Sequence, residues 1–203
     1  LKLDKSLFTP YLLQTDPELQ LMLHYLDLEE GMKVLELGCC GTELSQVLER
    51  CGYEVWGVDL QQYPYTLRNF IREDFLKAQL PLSYFDVAID ISALHHFGLG
   101  SYGDQFNLEA DISASQKVRR SLKAGSSWFL VMDRFKAKFD PNIVNFVRQY
   151  NEENFKNRVC RGFTIEFMKF FDINLLEIPL DSPLLEIMCA KLRKESSYED
   201  RMG

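Results

Sequence analysis

The stretch Lys33-Val34-Leu35-Glu36-Leu37-Gly38-Cys39-Cys40-Gly41-Thr42-Glu43-Leu44-Ser45 constrains the chain more than any other. Val34, Leu35 and Leu37 form an apolar, β-prone run that breaks at Gly38, where the backbone can turn without a colliding side chain. A helix follows, with Leu44, Val47 and Leu48 on one face, Thr42 placed to cap its start and Gly52 to end it. A strand that turns this tightly into a helix directs unpaired backbone N–H groups, at the positive end of the helix, past the carboxyl end of the strand. That is a place for an anionic group of a ligand.

A second strand, Glu54 to Val58, ends in Asp59. The acid lies about 20 residues beyond the glycine turn, the spacing of a carboxylate that accepts ribose hydroxyls in a βαβ nucleoside site. Two cofactor classes fit these features. A dinucleotide would set its pyrophosphate on the turn, but Cys40 and Thr42 stand where that pattern asks for glycine. S-adenosylmethionine brings only a carboxylate and an ammonium group there, and Glu36 can balance the positive charge. The turn and its acids suit the second better.

With these residues the chain resembles the class I S-adenosylmethionine-dependent methyltransferases. Val34 to Cys39 is similar to their first motif, and Val58-Asp59 to their ribose-binding acid. Arg72-Glu73-Asp74-Phe75 resembles the segment beside the adenine, Phe85 to Asp90 the fourth strand, and Leu122-Lys123-Ala124-Gly125-Ser126 the turn before the fifth. Tyr63-Pro64-Tyr65-Thr66 together with His96 to Asp104 is similar to a bacterial subgroup of small methyltransferases, some of which accompany polysaccharide biosynthesis. Cys40 and Thr42 for glycines, Ala124 for proline and His95 for an acid depart from those patterns.

The resemblance implies a seven-stranded Rossmann-like α/β sheet, mostly parallel with a C-terminal antiparallel hairpin and helices on both faces. It implies that Glu36, Gly38, Cys39 and Cys40 hold the methionine end of S-adenosylmethionine. Asp59 and Leu60 would hold the ribose and Asp74 and Phe75 the adenine, with Asp90 and Ser92 contributing from the end of the fourth strand. S-adenosylhomocysteine is the product it implies.

Residues 1–194 are expected to form one methyltransferase domain with an N-terminal helical cover, and 195–203 a frayed tail. The formal net charge of −7 and pI near 5.1 argue against nucleic acid or anionic lipid as partner. No apolar run approaches the ~20 residues of a membrane span. The five cysteines are odd in number and lack the paired spacing of a metal site, which points to a reducing, cytoplasmic compartment and to no metal. Cys39 and Cys40 read as small residues filling a tight turn, although a thiol at a helix N-terminus can also be reactive. No secretory signal is visible, and the pattern leaves the oligomeric state open.

Asp16-Pro17-Glu18 opens a helix with Leu19, Met22, Leu23 and Leu26 on one side, and the arm before it, with Phe8, Tyr11, Leu12 and Leu13, could cover a pocket. Asn69 to Arg72, Phe85 to Ile91 and Ser127 to Met132 read as strands. Asn107 is placed to cap a helix that runs to Leu122 and ends at Gly125, and Asn151 to cap another. Gly162 to Phe167 alternates like a strand. Leu184 to Leu192 fits helix or strand by pattern, and the resemblance makes it the last strand.

Between the fourth strand and the Asn107 helix, Ser92 to Asp104 carries three glycines, two imidazoles, a phenol and a carboxylate. This is the expected acceptor site. An imidazole, with an unperturbed pKa of ~6.5, is suited to taking a proton from a hydroxyl at neutral pH. His96 is the candidate base, Asp104 its orienter or a substrate ligand, and His95 and Tyr102 substrate-binding residues; each of the four could equally serve only the loop. The expected activity is methyl transfer to a hydroxyl of a sugar or other small molecule. A non-catalytic module on the same fold and an NAD-dependent oxidoreductase are the rivals.

Overall fold

The computed structural model describes residues 5–9, 16–135, 143–144, 146–172 and 185–196. A seven-stranded sheet runs through it. Its strands are β1 (Lys33–Leu37), β2 (Glu54–Asp59), β3 (Asn69–Arg72), β4 (Phe85–Ile91), β5 (Leu122–Phe135), β8 (Phe163–Asp172) and β9 (Leu185–Lys194). The spatial order is β3-β2-β1-β4-β5-β9-β8. Neighbours from β3 to β5 pair in parallel, whereas β9 lies antiparallel between β5 and β8. The order reverses between β1 and β4, and open α/β sheets gather ligands at such a switch, outside the carboxyl ends of the strands. The expected sheet and its closing hairpin are both present.

Alternation along the strands sorts the core onto two faces. Val34, Val55, Val87, Ile89 and Val131 pack with helices α1 (Pro17–Tyr25) and α2 (Leu44–Arg50). Leu35, Leu37, Val58, Ala88 and Leu130 pack on the other side with α3 (Ala110–Ser121) and α4 (Glu152–Arg158). Helix α1 starts as its sequence asks: Asp16 accepts from Leu19 N at 2.9 Å, Pro17 occupies the first turn, and Leu19 and Met22 are buried. Asn151 caps α4 by accepting from Asn154 N at 2.8 Å.

Two helix boundaries differ from expectation. Asn107 caps no helix; its side chain accepts from Glu109 N at 2.9 Å in a turn, and α3 begins at Ala110. The same helix stops at Ser121, because Leu122 already pairs with Phe85 on β4 and Gly125 falls inside β5. A short ribbon of β6 (Ile143–Val144) and β7 (Val147–Arg148) was not foreseen. Of the proposed N-terminal cover, Phe8 is buried in the core, while Tyr11 to Leu13 lie outside the described residues, as do 197–203 of the tail. Among the described residues no helix is long and apolar enough to cross a membrane.

Candidate functional site

The turn after β1 holds two glycines rather than three, and only Gly38 has a positive φ. Gly38 has φ +60 and a Cβ there would strike the side chain of Ala93, so no other residue fits. Its N–H donates to Val58 O at 2.8 Å, which ties the turn to β2. Cys39 to Gly41 form a single 3-10 turn, and Thr42 is extended at φ −132, a conformation open to any residue. The side chains at 40 and 42 are therefore accommodated rather than disruptive. The Thr42 hydroxyl accepts from Leu44 N at 3.2 Å and donates to Glu36 at 2.7 Å, but it is not the cap expected of it: the N-cap of α2 is Glu43, which makes no side-chain capping bond.

A cavity of about 620 Å³ opens beyond this turn, at the carboxyl ends of β1, β2 and β4. Gly38, Cys40, Asp59, Leu60, Asp74, Phe75, Ser92, His96, Tyr102 and Asp104 all line it. Asp59 closes β2 and faces the turn, accepting from Cys40 N at 2.9 Å with one oxygen and from Gln61 N at 2.8 Å with the other. Each oxygen keeps a lone pair for a ligand hydroxyl. Asp74 accepts from Leu76 N at 2.9 Å and so shapes the loop that presents Phe75. Lys117 pins the same loop by donating to Leu76 O at 3.0 Å and Ala78 O at 2.5 Å.

Four expected site residues lie outside the cavity wall. Glu36 is buried and aims into the protein, where it accepts from Thr42 and Ser45; burial pushes its carboxyl up to about 7. It shares a strand face with Val34, which is why it points at α2 and not at a ligand. Asp90 is equally buried, accepts from Ala93 N at 3.0 Å and from Leu94 N, and is also raised to about 7 by burial. Cys39 is buried against β2, its sulfur close to where a Cβ on Gly57 would sit. His95 is buried under the loop, its ring edge-on to that of His96. Burial also raises both turn thiols, Cys40 to about 12 with Asp59 adding to the effect, so they stay neutral and serve as packing.

His96 lines the cavity, and its Nδ1 lies 3.0 Å from the carbonyl oxygen of Phe146. A carbonyl can only accept, so Nδ1 carries the hydrogen, and in the neutral imidazole Nε2 then holds the lone pair. The orienting partner is thus a backbone group of the β6–β7 ribbon and not Asp104. Both carboxylate oxygens of Asp104 are sealed from solvent and have no hydrogen-bond partner among the described residues. Tyr102 is half exposed, with its ring edge-on to His96 at 5.3 Å.

Sequence reasoning missed the groups that hold this loop in place. Arg148 is buried and donates to Phe97 O at 3.1 Å and Leu108 O at 3.4 Å. Asp111, also buried, accepts from Arg158 at 2.7 and 2.8 Å and from Tyr150 at 2.8 Å, with Arg148 Nε at 3.7 Å. Burial would raise the Asp111 carboxyl, but the two guanidinium groups outweigh it and hold it below the usual range. Glu18 on α1 also lines the cavity and accepts from Ser92 Oγ at 2.6 Å. No local sequence signal announces these pairings, which join residues far apart in the chain.

The cavity fits a nucleoside-bearing cofactor: a glycine turn that no Cβ could occupy, an acid at the end of β2 with spare lone pairs, and an aromatic face at Phe75. Residues 35–130 match the family model described as the methyltransferase domain. Among curated proteins none matches by sequence. The fold is shared with an S-adenosylmethionine-dependent methyltransferase from Mesorhizobium loti, at 18% identity over 87% of this chain and 97% of that one, TM-score 0.63. It is also shared with the Burkholderia thailandensis 1,6-didemethyltoxoflavin-N1-methyltransferase, whose structure holds 1,6-didemethyltoxoflavin and S-adenosylhomocysteine, at 19% identity over 88% and 76%, TM-score 0.61. A third neighbour is the [4+2]-cyclase SpnF, at 13% identity over 88% and 79%, TM-score 0.65.

Proposed function

We propose that this chain, in which residues 35–130 match a methyltransferase domain within a Rossmann-like methyltransferase fold, transfers the methyl group of S-adenosylmethionine to a hydroxyl of a small molecule, a sugar being the first class to try. The observation that carries the reading is the placement of His96 on the cavity wall, with Nδ1 committed to the Phe146 carbonyl and Nε2 left as a base. When bound, the cofactor supplies an electrophilic methyl on a sulfonium, a good leaving group.

The protein's part is to hold and to deprotonate. Gly38, Cys40, Asp59 and Leu60 would seat the ribose and methionine end, and Asp74 and Phe75 the adenine. With Glu36 turned inward, the acids available to the cofactor's ammonium group are those on the cavity wall, Asp16 and Glu18 among them. Positioning of the acceptor hydroxyl by the cavity wall would supply much of the acceleration. His96 Nε2 would take the proton of that hydroxyl, a general-base contribution of ~10²–10⁴ in rate.

Calorimetric titration of the purified chain with S-adenosylmethionine and S-adenosylhomocysteine tests the first half. Micromolar binding of either supports it, and no binding to folded protein moves the reading to a non-catalytic module. His96→Asn tests the second half: turnover on an identified acceptor should fall by about 10²-fold or more with cofactor affinity kept. Unchanged turnover would make His96 structural. SpnF favours a second reading, since that neighbour is described as a cyclase; cofactor binding without methyl transfer to any acceptor would support it.

A further inference from the structure

Resting on the reading above, we propose that Glu18, in the first turn of α1, is the carboxylate that receives the cofactor's ammonium group, so that the N-terminal helix decides which adenosyl compounds the cavity accepts. The acid expected to do this cannot: Glu36, inside β1, is buried and accepts from Thr42 and Ser45. Six other described carboxylates line the cavity: Asp16, Glu18, Asp59, Glu73, Asp74 and Asp104. Their places in the fold tell them apart.

The strands stand in the order β3-β2-β1-β4, and the residues at their carboxyl ends line the cavity in the same order. Glu73 and Asp74 follow β3, Asp59 closes β2, Gly38 follows β1 and Ser92 follows β4. With the adenine assigned to the β3 end and the ribose to Asp59, the amino-acid end of the cofactor belongs at Gly38 and Ser92. Three strand spacings of ~4.8 Å put about 14 Å between the ends of β3 and β4, so Glu73 and Asp74 are at the wrong end. Asp59 is taken by the ribose, and Asp104 has both oxygens sealed from solvent. That leaves the two acids of α1.

Contacts fix Glu18 at the β4 end. Its Oε1 accepts from Ser92 Oγ at 2.6 Å. Ala93, the next residue, is the one that a Cβ on Gly38 would strike, so Glu18, Ser92, Ala93 and Gly38 follow one another along the wall. Asp16 is already committed to the start of α1, where it accepts from Leu19 N at 2.9 Å and from Glu18 N. An ammonium on Asp16 would compete with the helix cap, whereas one on Glu18 leaves the cap intact. Glu18 is also half-buried and oriented by a hydroxyl, which makes it a stronger partner for a cation than a mobile surface acid.

The test is calorimetry on the full chain with S-adenosylhomocysteine and with its deaminated analogue, in which hydrogen replaces the ammonium group. The wild type should bind S-adenosylhomocysteine at least about tenfold more tightly than the analogue, as one charge-assisted contact provides. Glu18→Gln, whose carbonyl can still accept from Ser92, should lose that preference with little change in the urea midpoint. Asp16→Asn keeps a capping side chain and should retain the preference. Comparing two ligands on each protein cancels any general effect of a substitution on the cavity. Equal affinity of the wild type for the two ligands would overturn the proposal, as would a preference that only Asp16→Asn abolishes. A preference that survives in Glu18→Gln would remove Glu18 from the site and leave the cofactor reading standing. A folded wild type that binds neither compound would sink both.

Discussion

Glu36→Gln should make the protein more stable at pH 8 and leave its stability at pH 5 almost unchanged. The carboxyl of Glu36 is buried, and desolvation outweighs the hydroxyl donors Ser45 and Thr42, lifting it from 4.5 to about 7. An acid raised in the folded state keeps its proton in the fold at pH values where the unfolded chain has lost it. Stability from this group is thus complete below the unfolded value and declines as pH rises toward the folded one. At 1.36 kcal/mol per pKa unit, the rise amounts to about 3 kcal/mol, all of it lost by pH 8. Glutamine is neutral at every pH and nearly isosteric; its oxygen accepts from one hydroxyl, and its amide donates to the other after that hydroxyl rotates. Urea denaturation of both proteins, without ligand, at half-unit steps from pH 5 to pH 8 measures the difference. Asp90 titrates in both and cancels. A difference that stays constant across this range would refute the assignment. A difference that moves in favour of the wild type as pH rises would mean that the fold stabilises the carboxylate after all.

Three further outcomes follow from the same geometry. Gly38→Ala should destabilise the fold by more than the ~1–2 kcal/mol of a left-handed alanine, because its Cβ also meets Ala93, and should abolish cofactor binding; a urea midpoint equal to wild type would show that the turn adapts. Asp111→Asn should cost ~3–5 kcal/mol by leaving the buried Arg148 without its carboxylate, which chemical denaturation reads directly. Asp59→Ala should weaken S-adenosylmethionine binding by ~1.5–3 kcal/mol, and unchanged affinity in calorimetry would remove Asp59 from the ribose site.

The elements legible in the sequence were those with local causes. Asp16-Pro17 starts α1, Gly38 ends β1, and the apolar alternation of Val34 and Leu35 sorts two core faces. Candidate residues past a strand end, Cys40, Phe75 and Ser92, line the cavity, but position alone does not decide it, since Cys39 and His95 stand in the same loops and are buried behind the wall. The site was not legible for Glu36 and Asp90, which are still inside their strands: a side chain there takes the face of its i−2 neighbour, Val34 or Ala88, and both faces are buried. Period two already held that information, and the motif obscured it. His96 and Phe146, or Arg148 and Phe97, meet only through the ribbon β6–β7, and nothing in a linear sequence marks a contact between a side chain and a distant carbonyl.

The two inward acids still bear on the ligand, through the loops they brace. Glu36 holds Thr42 and Ser45, Asp90 holds Ala93 and Leu94, and the two loops touch where Gly38 meets Ala93. Thr42 and Ala93 are themselves part of the cavity wall. Both carboxyls sit at about 7, so near neutral pH each is partly protonated and responsive to a charge that enters the cavity. A cationic ligand favours the carboxylate form and lowers both values. S-adenosylmethionine, which carries a net positive charge, should therefore release a fraction of a proton on binding at pH 7, and neutral S-adenosylhomocysteine should release less. Calorimetry at pH 7 in buffers of different ionisation enthalpy gives the proton count for each ligand. Release that persists for S-adenosylmethionine in the Glu36→Gln variant at the wild-type level would locate the proton elsewhere, and buffer-independent heats for both ligands would show that the inward acids do not sense the cavity.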